Sequence, residues 1–137
     1  MMFKAVEFKK LNETELLGFI GRNECVQIVP LRFYAGETHV VHSVNQTLKA
    51  FAMRENLSKK QSMEFLLRFF GERQIKKAVA KAQPEKRSLF VCWSEDCDGV
   101  FADFEKSFEF YERALPHVSV DKEKKAVERT SVFWLSK

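Results

Sequence analysis

The sequence predicts an α/β protein: a small, mostly antiparallel β-sheet packed against a layer of α-helices, in a single domain spanning residues 1–137. Three observations predict it. Short apolar or alternating runs (2–9, 24–33 and 88–93) are interleaved with longer segments whose apolar residues recur at i, i+3, i+4 and i+7. Fourteen phenylalanines in 137 residues supply a large core. Glycine and proline number only 5 and 3, too few for a loop-rich or disordered chain, and no linker or internal repeat divides it.

The elements follow in order. Residues 2–9 alternate and carry charge, the mark of a strand rather than a signal peptide. Asn12 to Leu17 reads as a short helix or turn. Glu24 to Phe33 is strand-like, with Val26, Ile28 and Leu31. A helix is expected over about 37–54, with Val40, Val41, Val44, Leu48 and Phe51 as its apolar stripe. Ser58 followed by Gln61 gives a helix-start signature for a second helix over 59–70, on which Met63, Leu66, Leu67 and Phe70 form one face. Phe65 and Phe69 lie on its flank. Polar residues therefore keep only the arc of Lys60, Glu64 and Arg68, and such a helix is central in a core or meets a partner. Glu64 is expected to face solvent on that arc or to pair with Arg68 at i+4, in a structural role. Gly71 supplies a left-handed stop. A short helix then runs over 73–82 with Ile75, Ala78, Val79 and Ala82 inward. Gln83 to Lys86 is a turn. Ser88 to Trp93, nearly all apolar, suits a central strand. Asp98-Gly99 opens a helix over about 99–115 bearing Phe101, Phe104, Phe108, Tyr111 and Leu115, stopped by Pro116. Asp121 to Lys125 reads as a charged surface segment and Thr130 to Leu135 as a last strand.

The corner at Gly71 carries the chemistry that stands out. It places a free helix start, the Arg73 guanidinium and the Gln74 amide close together. That set suits holding an anion or a nucleic-acid strand rather than making or breaking bonds. Arg73, Lys76, Lys77 and Lys81 share the helix face opposite Ile75 and Val79. The net charge is only +4 but is unevenly spread. From Lys59 to Arg87 there are nine basic and three acidic residues, a net of +6; from Glu95 to Arg113 there are seven acidic and two basic, a net of −5. On charge alone these are two solvated faces, and a basic surface for nucleic acid beside an acidic one for a protein is the functional alternative.

Other candidate sites are thinner. His39 and His42 lie three apart on one helix but lack a third ligand at helical spacing, and Ser43 and Asn45 complete no nucleophile–base–orienter set. Asp96 and Asp98, beside Gly99, read as a turn and helix cap rather than a catalytic carboxylate pair. Cys25, Cys92 and Cys97 are an odd number and give no disulfide framework; Cys25 and Cys92 are expected to be buried thiols. Cys92, Cys97 and His117 fit no common zinc spacing. No phosphate-cradling glycine loop is present. These residues give no support for enzyme activity in the isolated chain, and no cofactor or metal is expected. No apolar run approaches a membrane span, and with no targeting segment in view the expected location is the cytoplasm.

The order Ser62-x-Glu64-x-Leu66-Leu67, Gly71-x-Arg73-Gln74-Ile75-x-x-Ala78 resembles the core of the small kinase-binding subunit of the KEOPS tRNA-modification complex, in its archaeal form. The resemblance extends upstream to the His39-led helix (Ala35 to Val41, Val44, Ala50-Phe51) and downstream to the Ser88–Trp93 strand, covering roughly residues 36–93. The chain departs from the family in having Phe70 before the glycine. From Cys97 onward no family motif is apparent. The resemblance implies an accessory subunit that docks on the complex's atypical kinase. It also implies engagement of the single-stranded 3′ CCA end of tRNA, with Gly71, Arg73, Gln74, Lys76, Lys77 and Lys81 as the tRNA-binding residues. Arg stacks on bases and bonds phosphates, and Gln bonds base edges. Threonylcarbamoyl transfer itself would belong to another subunit. Two readings of other classes stay open: a stand-alone metal-dependent or small-molecule enzyme using the histidines and Asp96/Asp98, and a generic protein-interaction domain.

Overall fold

The computed structural model describes the backbone of residues 1–135 and the side chains of residues 1–131. Strands β1 (Met2–Phe8), β2 (Val26–Pro30), β3 (Arg87–Cys92) and β4 (Phe110–Arg113) form one antiparallel sheet in the order β2-β3-β1-β4. The helices among the described residues are α1 (Glu13–Arg22), α2 (Glu37–Ala52), α3 (Gln61–Phe70), α4 (Ile75–Lys81), α5 (Cys97–Ser107) and α6 (Val120–Leu135). The chain is therefore of the α/β class, with a small antiparallel sheet covered by helices. None of the described helices is long and apolar enough to cross a membrane.

Two compact units are present, each assembled from two stretches of chain. One comprises Met1–Phe33 with Ala82–Leu115 and holds the sheet; the other comprises Tyr34–Lys81 with Pro116–Lys137. In the sheet unit, Val6 and Phe8 of β1, Val26 and Ile28 of β2, and Phe90 and Cys92 of β3 meet Leu16 and Phe19 of α1 and Phe101 and Phe104 of α5. Phenylalanine does most of this packing. Phe104 meets Phe8 edge-on at 5.9 Å and Phe19 at 5.4 Å, and lies tilted against Phe90 at 4.9 Å. Offset and edge-on contacts suit the ring quadrupole, and each fully buried ring contributes about 1.5–3 kcal/mol. From Ser88 to Cys92, β3 is buried on both faces, as its run of apolar residues demands of a central strand.

Two expected elements at the C-terminal side are different. The helix beginning beside Gly99 ends at Ser107, not near 115, because Phe108 turns extended and 110–113 becomes β4. The reason lies in the register. Phe108, Phe110 and Glu112 alternate with Glu109, Tyr111 and Arg113, and pairing Phe8 with Phe110 adds aromatic contacts that helix propensity does not capture. Residues 130–135, expected as a strand, continue α6. Ala126 and Thr130 are buried one turn apart, and the Thr130 and Ser131 hydroxyls donate to the carbonyls four residues back at 3.1 and 2.9 Å. Those bonds accommodate hydroxyl side chains inside a helix.

In the helical unit the start of α2 is built unusually. Gly36 precedes it at φ 99° and provides no side-chain cap. The carboxylate of Glu123, from α6, accepts the Thr38 N–H at 3.1 Å instead. The segment expected only as charged surface thus supplies a cap. A Cβ on Gly36 would run into that carboxylate. Gly36→Ala is expected to lower stability by roughly 1–3 kcal/mol, because the backbone there is nearly glycine-only and the cap is displaced. Urea denaturation measures it; an unshifted midpoint refutes the strain argument.

The apolar stripe of α2 also differs from expectation. Val40, Val44 and Ala50 are buried along with His39, Ser43, Gln46 and Thr47, whereas Val41 is 36% and Leu48 43% exposed. The inward face is rotated toward polar residues whose bonds are made locally. Ser43 donates to the His39 carbonyl and Thr47 to the Ser43 carbonyl, both at 2.8 Å, and the Gln46 amide donates to the Thr130 carbonyl at 3.2 Å.

Candidate nucleic-acid interface

The site begins with α3, which is buried around nearly its whole circumference. Its polar arc does not face solvent: Glu64 and Arg68 are fully buried and joined by an ion pair, with Nε and Nη2 of Arg68 at 2.9 and 2.8 Å from Glu64 Oε2. The other carboxylate oxygen of Glu64 accepts the Leu57 and Ser58 N–H groups at 2.7 and 2.8 Å. Glu64 therefore fastens the segment before α3 to the helix, a structural role. The Ser58–Gln61 start signature is not used as a capping box. The N-cap position is Lys60, without a side-chain cap, and the Ser58 hydroxyl lies 3.4 Å from the Lys60 N.

Gly71 ends α3 in the left-handed region, at φ 62° and ψ 35°. The Glu72 N–H reaches back to the Leu67 carbonyl at 2.9 Å, closing a Schellman-type cap. The corner redirects the chain into α4; Arg73 and Gln74 just before it and Lys76, Lys77 and Lys81 along it are all exposed. Ala78 is buried and Val79 half-buried, as the helical spacing requires, but Ile75 is 41% exposed rather than inward. Lys81 extends toward Phe70, its ammonium 5.8 Å from the ring centre.

The helix start at this corner is not free. α4 has only seven residues, and the Gln74 N–H already meets the Glu72 carboxylate at 3.3 Å. An anion at that spot would face Glu72, so the corner offers side-chain cations rather than a free helix terminus. One cation escaped sequence reasoning. A Cβ on Gly71 would lie 2.7 Å from Cγ and 3.2 Å from the carbonyl oxygen of Arg129, so exposed Arg129 of α6 passes directly against the corner. No local sequence signal connects these positions; only the packing of α6 on α3 does.

His39, His42 and Asp96 have structural partners. His39 is fully buried, its Nε2 donating to the Phe69 carbonyl at 2.9 Å and its ring 4.5 Å from that of Phe69. His42 lies 3.2 Å from the Ser131 hydroxyl. Asp96 caps α5 by accepting the Gly99 N–H at 2.9 Å. Cys92 is buried but Cys25 only half-buried, and His117 is exposed. Among the described residues no group of three or more His, Cys, Asp or Glu side chains is arranged to hold a metal ion. The chain matches no protein-family model, and no curated protein matches it closely enough to assign it.

Proposed function

We propose that the chain is a non-catalytic subunit of a KEOPS-like complex, acting in the cytoplasm in the formation of threonylcarbamoyladenosine in tRNA. It holds the unpaired 3′ CCA end of tRNA and binds the complex's atypical kinase. The observation that carries the RNA half is the exposed set Arg73, Gln74, Lys76, Lys77 and Lys81 beyond the left-handed Gly71 corner, with Arg129 against the same corner. Such a set neutralises phosphates and offers a planar guanidinium and an amide to unstacked bases. The kinase half rests on the sequence resemblance. Exposed Val41 and Leu48, two turns apart on α2, and Met53 and Leu57 beyond its end, supply apolar surface for it. α3 does not, because its apolar face is spent inside its own unit.

Binding to intact tRNA and to tRNA lacking the terminal CCA tests the RNA half. Truncation is expected to weaken binding by about tenfold or more, since each stacked base is worth about 1–3 kcal/mol. Arg73→Ala is expected to cost roughly 1–3 kcal/mol of binding, Gln74→Ala less, and Lys77→Ala mainly to flatten the salt dependence. Equal affinity for both tRNAs would remove the 3′ end from the proposal, and a folded Arg73→Ala that binds like the parent would move the site. Sedimentation with the kinase of the same organism tests the other half; no association at tens of micromolar would leave a nucleic-acid-binding protein alone.

A further inference from the structure

Two of the three cysteines, Cys92 and Cys97, meet around Ser94 at the end of β3 and the start of α5. Cys92 closes β3 and is fully buried, while Cys97 opens α5 and is half-buried. Both sulfurs hold the residue between them: Cys92 Sγ lies 3.4 Å from the Ser94 hydroxyl, and Cys97 Sγ donates to the Ser94 carbonyl at 3.4 Å. Cys97 also packs on the core cluster that contains Cys92. Cys25 lies on the neighbouring strand side, its carbonyl accepting the Trp93 N–H at 2.9 Å.

We propose that Cys92 and Cys97 form a reversible dithiol site that a peroxide oxidises to an intramolecular disulfide. Two thiols held against the same serine, one in the core cluster and one packed on it, are placed for such a bond to close by side-chain rotation. Cys97, which solvent reaches whereas Cys92 is fully buried, is the attacking group. Its sulfur attacks one peroxide oxygen and the O–O bond breaks. Cys97 becomes a sulfenic acid and the other oxygen leaves as water. The Cys92 sulfur then attacks the Cys97 sulfur, the S–O bond breaks, and hydroxide leaves as a second water with the Cys92 proton. The thiols give up two electrons and two protons, and the peroxide is reduced to two waters. Burial pushes the Cys92 thiol up to about 11, which suits it to the resolving step rather than to first attack.

Hydrogen peroxide treatment of the folded protein, alkylation of remaining thiols, trypsin cleavage and mass spectrometry test this. Cys92 and Cys97 share the tryptic peptide 88–106, whereas Cys25 lies in 23–32. The expected result is peptide 88–106 lighter by two hydrogens and closed to alkylation, restored by dithiothreitol, with Cys25 still alkylated. In Cys97→Ser, whose half-buried position tolerates the exchange, Cys92 is expected to stay a thiol. Full alkylation of both cysteines after peroxide, sulfinic acid at Cys97, or a cross-link between 23–32 and 88–106 would each overturn the Cys92–Cys97 assignment.

Discussion

Glu64→Ala is expected to destabilise the protein by about 3–5 kcal/mol, the largest loss foreseen for a single side chain here. The substitution takes a fully buried carboxylate from a fully buried guanidinium and from two backbone N–H groups at once. An exposed pair at the same i, i+4 spacing would be worth only about 0.3–0.5 kcal/mol. Burial makes the difference, because the Arg68 charge cannot recover the lost partner from water. Desolvation holds the Arg68 guanidinium below its ordinary range even with the carboxylate present. Paired replacement by Glu64→Leu and Arg68→Met is expected to cost less than the sum of the single changes, since the charges disappear together. Urea unfolding of the three variants measures the cycle. Strict additivity, or a loss under about 1 kcal/mol for Glu64→Ala, would mean that the pair carries little stability.

That pair shows where sequence reading reached and where it stopped. The i, i+4 spacing made a Glu64–Arg68 bond foreseeable, but not its burial, which depends on partners far along the chain. Signals contained within one element were legible: Gly71 as a left-handed stop, Asp96 as a cap, β3 as a central strand and phenylalanine as core. So was the basic run of α4, whose spacing puts its cations on one exposed face. What required two distant segments was not legible. Glu123 caps α2 across the fold, Arg129 meets Gly71, and β4 exists because β1 offers it an edge. In α6 the β-branched and aromatic residues after Arg129 have strand propensity, yet continuation of a charged helix and hydroxyl bonds to i−4 carbonyls outweigh it. The same limit explains the helix start at Gln74. Glu72, two residues away, occupies it, and only the folded turn shows that its carboxylate reaches.

Acid is expected to weaken the helical unit through His39 before it protonates most carboxylates. Burial is the main cause that drives this imidazole down from 6.5 to about 4, helped by the nearby positive charge of Arg129 and by His42; the bond to the Phe69 carbonyl opposes the shift without overcoming it. The geometry gives the reason. Nε2 carries the proton donated to Phe69, so protonation would add an N–H at Nδ1, which is buried with no hydrogen-bond partner. Between pH 6.5 and 4 the unfolded chain takes up a proton at this residue that the folded chain refuses, so stability rises with pH across that window. The contribution is intact above 6.5, falls as the pH drops, and is lost by about 4, amounting to about 3 kcal/mol in all. Urea unfolding at successive pH values is expected to show this slope, and His39→Gln to flatten it. Proton NMR supplies a direct reading: the His39 ring should hold its neutral shifts well below pH 6. A His39 ring that titrates near 6.5 in the folded protein would contradict the buried, neutral arrangement that joins α2 to the end of α3.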